Sequence, residues 1–304
     1  MRIVSLLPSA TDIVASLGLI DRLVGRTHEC DWPPGIEDVP VMTRDELDAS
    51  TLRSHEIHAA VTNSIGGGSS IYALDHEALS AAQPDLILTQ ELCEVCAVSY
   101  PEVMQAARAL QVGATVVSLE PASIEDILGH VELVGRLAGI EGRAVEVVGD
   151  LRARLDRLRA EAAEREPVPT VCIEWLDPPF SAGHWVPEQV GVAGGRELLG
   201  EAGSKSRVAP WDAVVRARPQ ALIVMPCGMG IERACRELDA LTTRPGWREL
   251  PAVRADRVWV VDAPAYYNRP GPRVVRGAEI IAALLHGIGA AEPTEAVRLS
   301  TVAA

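Results

Sequence analysis

Cys93 and Cys96 form the pair in this chain best suited to chemistry. Thiols three apart in a loop can chelate one soft metal ion or close into a redox disulfide. A closed structural zinc site takes four ligands. His28, Cys30 and Cys227 are the candidates to complete such a set, around zinc or iron, if their loops converge. The plain alternative is that free cysteines pack as small apolar residues. That reading is preferred for Cys172, inside a strand-like run, and for Cys235, in a charged helical stretch.

A second set has the types that recognise ligands. Trp32, Trp185, Tyr266 and Tyr267 sit in polar, proline-rich stretches, where a large ring with one polar atom can wall a planar or apolar ligand. The alternative for them is packing. His28 and His184 each lie beside or near a Trp and prolines, and each can act as a ligand or an acid/base near neutral pH. Arg269 and Arg273 flank Pro270-Gly271-Pro272 at a helix start. With exposed N–H groups they suit a carboxylate or phosphate; the competing use is pairing with Glu174, Asp177 or Glu188. Other chemistries lack their signatures. No Gly-x-Ser-x-Gly elbow occurs, the first strand is not followed by a Gly-x-Gly turn, and His55 and His58 are not an H-E-x-x-H pair.

The elements that must position these residues are short aliphatic runs. Leu86-Ile87-Leu88 has the length of one buried parallel strand and leads into the cysteine loop. In open α/β sheets ligands lie outside the carboxyl ends of strands. Further strands are expected at Arg2–Leu6, Leu23–Gly25, Thr115–Leu119, Thr170–Trp175, Ala221–Met225 and Arg257–Val261. Helices are expected after Pro8, capped by Ser9 or Thr11, over Arg44–Ala60, Leu74–Ala82 and Pro101–Leu110, and after Pro272. Ile124–Ala163 holds little to break a helix except Gly139 and Gly142, and its second part carries amphipathic spacing. The fold class is therefore α/β, with two Rossmann-like lobes of mostly parallel sheet joined by one long α-helix and a ligand cleft between them. The expected divisions are 1–123, a helical linker at 124–166, 167–290, and a frayed tail at 291–304.

Composition narrows the partners. The 304 residues carry a formal net charge of −14 with no compensating basic block, which argues against nucleic acid. No apolar run approaches the length that spans a bilayer, so membrane insertion is not expected. Met1–Leu7 runs into Pro8 without the basic and apolar regions of an export signal, so a cytoplasmic location is expected. Cysteines there act as thiols or ligands rather than a disulfide framework.

Six motifs spread over residues 5–273 carry a resemblance: SLLPSATD (Ser5–Asp12), THECDWP (Thr27–Pro33), QPDLILTQELCEVCAVSY (Gln83–Tyr100), EWLDPPFSAGHWVPE (Glu174–Glu188), MPCG (Met225–Gly228) and YYNRPGPR (Tyr266–Arg273). Together they resemble the helix-linked (class III) periplasmic substrate-binding proteins of vitamin B12/iron-siderophore type, and within them proteins labelled cobalamin-binding. The resemblance implies a binding protein that holds cobalamin, a related corrinoid or another metal-containing cofactor between two lobes. Extracytoplasmic members deliver their ligand to an ABC importer; without an export signal that partner is not expected here. The alternative reading is a metal-dependent enzyme that uses a Cys/His-bound zinc or iron on a small substrate.

Overall fold

The structure, a computed structural model, describes residues 1–45, 47, 49, 51–66, 72–90, 103–106 and 113–302. Cys93 and Cys96 lie outside the described residues, as do most of the glycine-rich stretch after Gly66 and much of the expected Pro101–Leu110 helix. The chain divides into two compact units. One comprises Met1–Leu52, Glu56–Pro121 and Asp126–Val148; the other comprises Arg53–His55, Ala122–Glu125 and Gly149–Ala304.

The first unit carries β1 (Ile3–Ser5), β2 (Leu23–Gly25), β3 (Thr43–Asp45), β4 (Tyr72–Leu74), β5 (Leu86–Thr89) and β6 (Thr115–Ser118). Four of them form a parallel sheet in the order β2-β1-β5-β6, with Ile3 opposite Leu86 and Val4 opposite Ile87. β1 and β5 are buried at every position, as strands covered on both faces must be. The helix Pro8–Ser16 starts with proline in its first turn. Neither Ser9 nor Thr11 caps it: the N-cap is Leu7, without a side-chain bond, and Thr11 turns instead to Ser5.

The Arg44–Ala60 stretch differs from expectation. Thr43–Asp45 pairs antiparallel with Tyr72–Leu74, and the helix begins only at Ser54. Met42 and Leu74, at the foot of this ribbon, are buried in the same core as Val4 and Ile87. Core burial outweighs the helix preference of the charged residues that follow. Gly25 permits the approach, since a Cβ there would lie 2.6 Å from Met42 Cε.

The long helical region is two helices, Ile124–Leu137 and Glu141–Ala162. Gly139 turns the corner at φ +71°. A Cβ on Gly135 would fall 2.3 Å from that of Ala144, so the two helices pack nearly backbone to backbone. The division between units falls inside the second helix, between Val148 and Gly149.

The second unit adds β7 (Val168–Leu176), β8 (Pro179–Ser181), β9 (Gly195–Glu197), β10 (Arg207–Val208), β11 (Ala221–Val224), β12 (Val258–Val261) and β13 (Ala296–Arg298). Their order is β10-β8-β7-β11-β12-β13, with β9 also paired to β7. β7, β9, β11 and β12 are parallel, β8 and β13 run antiparallel to them, and edge strand β10 pairs antiparallel with β8 and so points the same way as β7. The tail expected to fray over 291–304 supplies β13, with Val260 opposite Val297. It is held from outside the sheet: Arg276 forms a two-pronged ion pair with Glu295, whose carbonyl accepts the Asp262 N–H. Helix Val274–His286 packs its apolar face inward, with Val274, Val275, Ala278, Ile281, Ala282 and Leu285 buried.

Candidate functional site

In the first unit, the exits of β1 and β2 gather Ser5, Thr11, His28 and Cys30. The Thr11 hydroxyl lies 2.9 Å from Ser5 Oγ and 3.1 Å from the Cys30 sulfur, all three buried. His28 Nδ1 is 2.8 Å from Thr43 Oγ1, and its ring leans on Tyr72, whose hydroxyl donates to Glu29. The loop is shaped by a residue the sequence did not single out. Arg26 spreads its guanidinium over the carbonyls of Thr27, Cys30, Ile36 and Glu37. Trp32 is half-buried in the same loop.

The expected metal set extends beyond the described residues and across both units. Among the described residues no three His, Cys, Asp or Glu side chains are grouped to hold an ion. Cys30 is only 6% exposed, with its sulfur against Thr11, and His28 is turned to Thr43; Cys227 is exposed on the other unit. The Cys93 and Cys96 half of the set lies outside the described residues.

In the second unit the candidates lie on the loops after β8, β11 and β12, and those after β8 and β12 meet where the Trp185 indole reaches Tyr267 O. After β8, Gly183 passes so close to the Ser204–Ser206 backbone that a Cβ would meet Ser204 O and Ser206 N at 2.5 Å. His184 follows in a left-handed conformation, φ +53°, tied at N–H to Ser204 O (2.6 Å) and at C=O to Gly203 (2.9 Å). Burial, helped by nearby Lys205, holds its imidazole below the ordinary 6.5. The ring is therefore neutral at neutral pH, the form that can coordinate a metal or accept a proton. The β11 exit is fastened to β7 by Met225 N–H to Ile173 O and Cys227 N–H to Glu174 O.

Two of the expected ring walls prove to be pillars. Tyr267 is 0% exposed and its hydroxyl donates to Gly277 O at 3.1 Å; burial pushes that phenol well above 10. Trp185 is 6% exposed, and its indole N–H donates to Tyr267 O at 2.9 Å. Their shared role is to tie the β8 exit to the β12 exit, which a two-motif sequence reading does not separate from ligand contact. Tyr266 remains half-buried. Gln189, itself fully buried, donates to Tyr266 O and Val274 O and so staples both ends of the β12 exit loop.

Arg269 and Arg273 stand in that loop, half-buried. The free helix N–H groups expected beside them are already used, since Val274 and Val275 donate to Gly271 O and Pro272 O. Any anion there would have to be met by side chains. The carboxylates named as alternative partners have other commitments. Asp177 pairs with Arg244 at 2.9 Å, Glu188 accepts the Ile124 N–H at 2.7 Å, and Glu174 accepts from Ser206.

Glu197 is a notable group the sequence reading passed over, and Glu174 is one it took only as a pairing partner for arginine. Burial raises Glu174 to about 7, against the opposing bonds from Ser206 and the Gly183 N–H. Burial also raises Glu197, although it accepts N–H groups of Cys172 (3.0 Å), Leu199 (3.1 Å) and Gly200 (3.2 Å). Cys172, sealed in β7 beside both acids, is pushed well above 9, first by burial and then by Glu197. Its expected packing role matches this placement. A glutamate inside the TVCIEW run was the available signal; the depth of its burial was not.

Comparison with known proteins follows these features across the chain. The Periplasmic binding protein family matches residues 3–265. The vitamin B12-binding protein of Vibrio cholerae serotype O1 (strain ATCC 39541) is 23% identical over 287 residues, 93% of this chain and 88% of that protein. An uncharacterized ABC transporter substrate-binding lipoprotein of Bacillus subtilis (strain 168) is 24% identical over 288 residues, 92% of this chain and 78% of that protein. Among solved structures, the apo periplasmic heme-binding protein of Roseiflexus sp. RS-1 superimposes with a TM-score of 0.71 at 22% identity, covering 95% of this chain and 98% of its own. That likeness shows the α/β fold. The argument against an ABC importer finds no support among these relatives. Among the described residues, no helix is long and apolar enough to cross a membrane.

Proposed function

Because the chain belongs to the periplasmic binding protein family, of vitamin B12/iron-siderophore type, we propose that it captures a corrinoid. Small-molecule capture is the family's role; the corrinoid is our finer reading. The observation that carries it is the alignment with vitamin B12-binding proteins over 93% of the chain. The second unit's strand exits support it chemically. His184 supplies a neutral imidazole suited to a metal, Tyr266 a partly open ring, and Arg269 and Arg273 donors for peripheral oxygens. Heme is the other metal-bearing macrocycle found among structural neighbours.

The test is optical. Purified protein titrated with hydroxocobalamin should shift the visible bands and saturate at one ligand per chain. Absence of any shift, with hemin taken up instead, would remove the corrinoid and leave a heme receptor.

A further inference from the structure

One segment of the second unit, Leu199 to Ser206, is fastened at both ends by largely buried carboxyl groups. Glu197 takes the Leu199 and Gly200 N–H groups at its start, at 3.1 and 3.2 Å, and Glu174 takes the Ser206 hydroxyl at its finish. The Arg207 guanidinium closes the neck by donating to Leu199 O at 3.1 Å. Glycines let this segment lie backbone to backbone against the chain leaving β8: a Cβ on Gly200 would stand 2.3 Å from Ala182 O. Its middle grips a single residue. Ser204 O takes the His184 N–H and Gly203 N–H donates to His184 O, which holds His184 at φ +53°. Left-handed backbone is strained for a residue with a Cβ, and carboxyl groups taken out of water are costly. Strain of this kind collects where a side chain has to be aimed.

The imidazole aimed in this way is half-buried and stands against the Trp185 indole, 5.6 Å between ring centroids. Trp185 is in turn fixed to Tyr267 O. We propose that Ser206, through its bond to Glu174, is a positioning residue that holds the His184 imidazole for the metal of the bound ligand. This rests on the corrinoid reading above, in which His184 meets the metal, and adds what keeps the ring in place. A histidine on a swinging loop loses conformational freedom when it coordinates; one held beforehand has already given it up. Ser206 acts at one remove, since its hydroxyl is committed to Glu174 while Gly203 and Ser204, just before it, hold His184. Glu174 is the less specific place to intervene. Its carbonyl also takes the Cys227 N–H, so it anchors the β11 exit as well.

Two cobalamins, compared by equilibrium dialysis and visible spectra, separate metal contact from general fit. The water or hydroxide on the cobalt of hydroxocobalamin exchanges for an imidazole and shifts the visible bands, whereas the cyanide of cyanocobalamin keeps that position closed. Wild type should bind hydroxocobalamin more tightly than cyanocobalamin, and His184→Ala should abolish the preference. Ser206→Ala should weaken hydroxocobalamin about tenfold, the effect of one lost hydrogen bond, and blunt its band shift, with cyanocobalamin bound as by wild type. Ser206→Thr keeps the hydroxyl and should restore both. Where His184 is already alanine, Ser206→Ala should change nothing further for hydroxocobalamin. If Ser206→Ala prevents folding, Ser206→Cys, close in shape but a weak donor, reads the same comparison. Equal loss for both cobalamins, or loss for neither, would overturn the inference and leave the segment a structural loop. A wild type that binds both alike, with no band shift, would overturn the inference by removing His184 from the metal while the corrinoid reading stands. Binding of neither would overturn the corrinoid reading and this inference together.

Discussion

Replacing Glu174 by glutamine tests whether its burial is as costly as the structure indicates. The carboxyl titrates at about 7 instead of the ordinary 4.5, with burial the first cause. Between those values the folded chain keeps a proton that the unfolded chain has released. Stability from this group is therefore fully present below pH 4.5 and is lost as pH rises to 7. At about 1.4 kcal/mol for each pH unit separating the two values, the loss is roughly 3 kcal/mol. Glutamine keeps the shape and one acceptor for Ser206 or the Gly183 N–H, and it does not titrate. Other groups contribute slopes of their own. Glu197 is also raised, so it adds to the loss, while His184 is lowered and adds stability as pH rises toward 6.5. Both persist in the variant and largely cancel in the difference. Urea unfolding at pH 5, 6, 7 and 8 should thus show Glu174→Gln gaining on wild type by roughly 3 kcal/mol across the range. A flat difference curve, or wild type gaining on the variant as pH rises, would refute the reasoning.

Two further predictions concern residues whose placement the structure changed or explained. Brief labelling with N-ethylmaleimide, mapped by peptide mass spectrometry, should modify exposed Cys227 and spare Cys172 until the chain unfolds; comparable labelling of both in the native protein would contradict the burial of β7. Tyr267→Phe removes the bond to Gly277 O and should cost about 1 kcal/mol in chemical denaturation with ligand affinity unchanged; a large loss of affinity at unchanged stability would return that ring to the ligand.

Much of the fold was legible because short parallel strands buried on both faces write themselves as aliphatic runs. Leu86-Ile87-Leu88 and Ala221–Val224 are strands where the runs stand, and the loops beyond them hold the polar motifs. The reading failed where long-range pairing overrides local preference. Thr43–Asp45 becomes a strand only because Tyr72–Leu74 lies beside it, and Ala296–Arg298 becomes one by pairing with the edge of β12.

By itself the sequence determined the α/β class, the strand exits and the residue types at each. Those follow from periodicity and composition, which are local properties. Which side chains of a motif face outward was decided only in three dimensions. Trp185 and Tyr267 share a motif character with Tyr266, yet hydrogen bonds to Tyr267 O and Gly277 O turn the first two inward. The ionisation of Glu174 belongs to the same class, because it arises from the water absent around the group, and that depends on every segment packed against it.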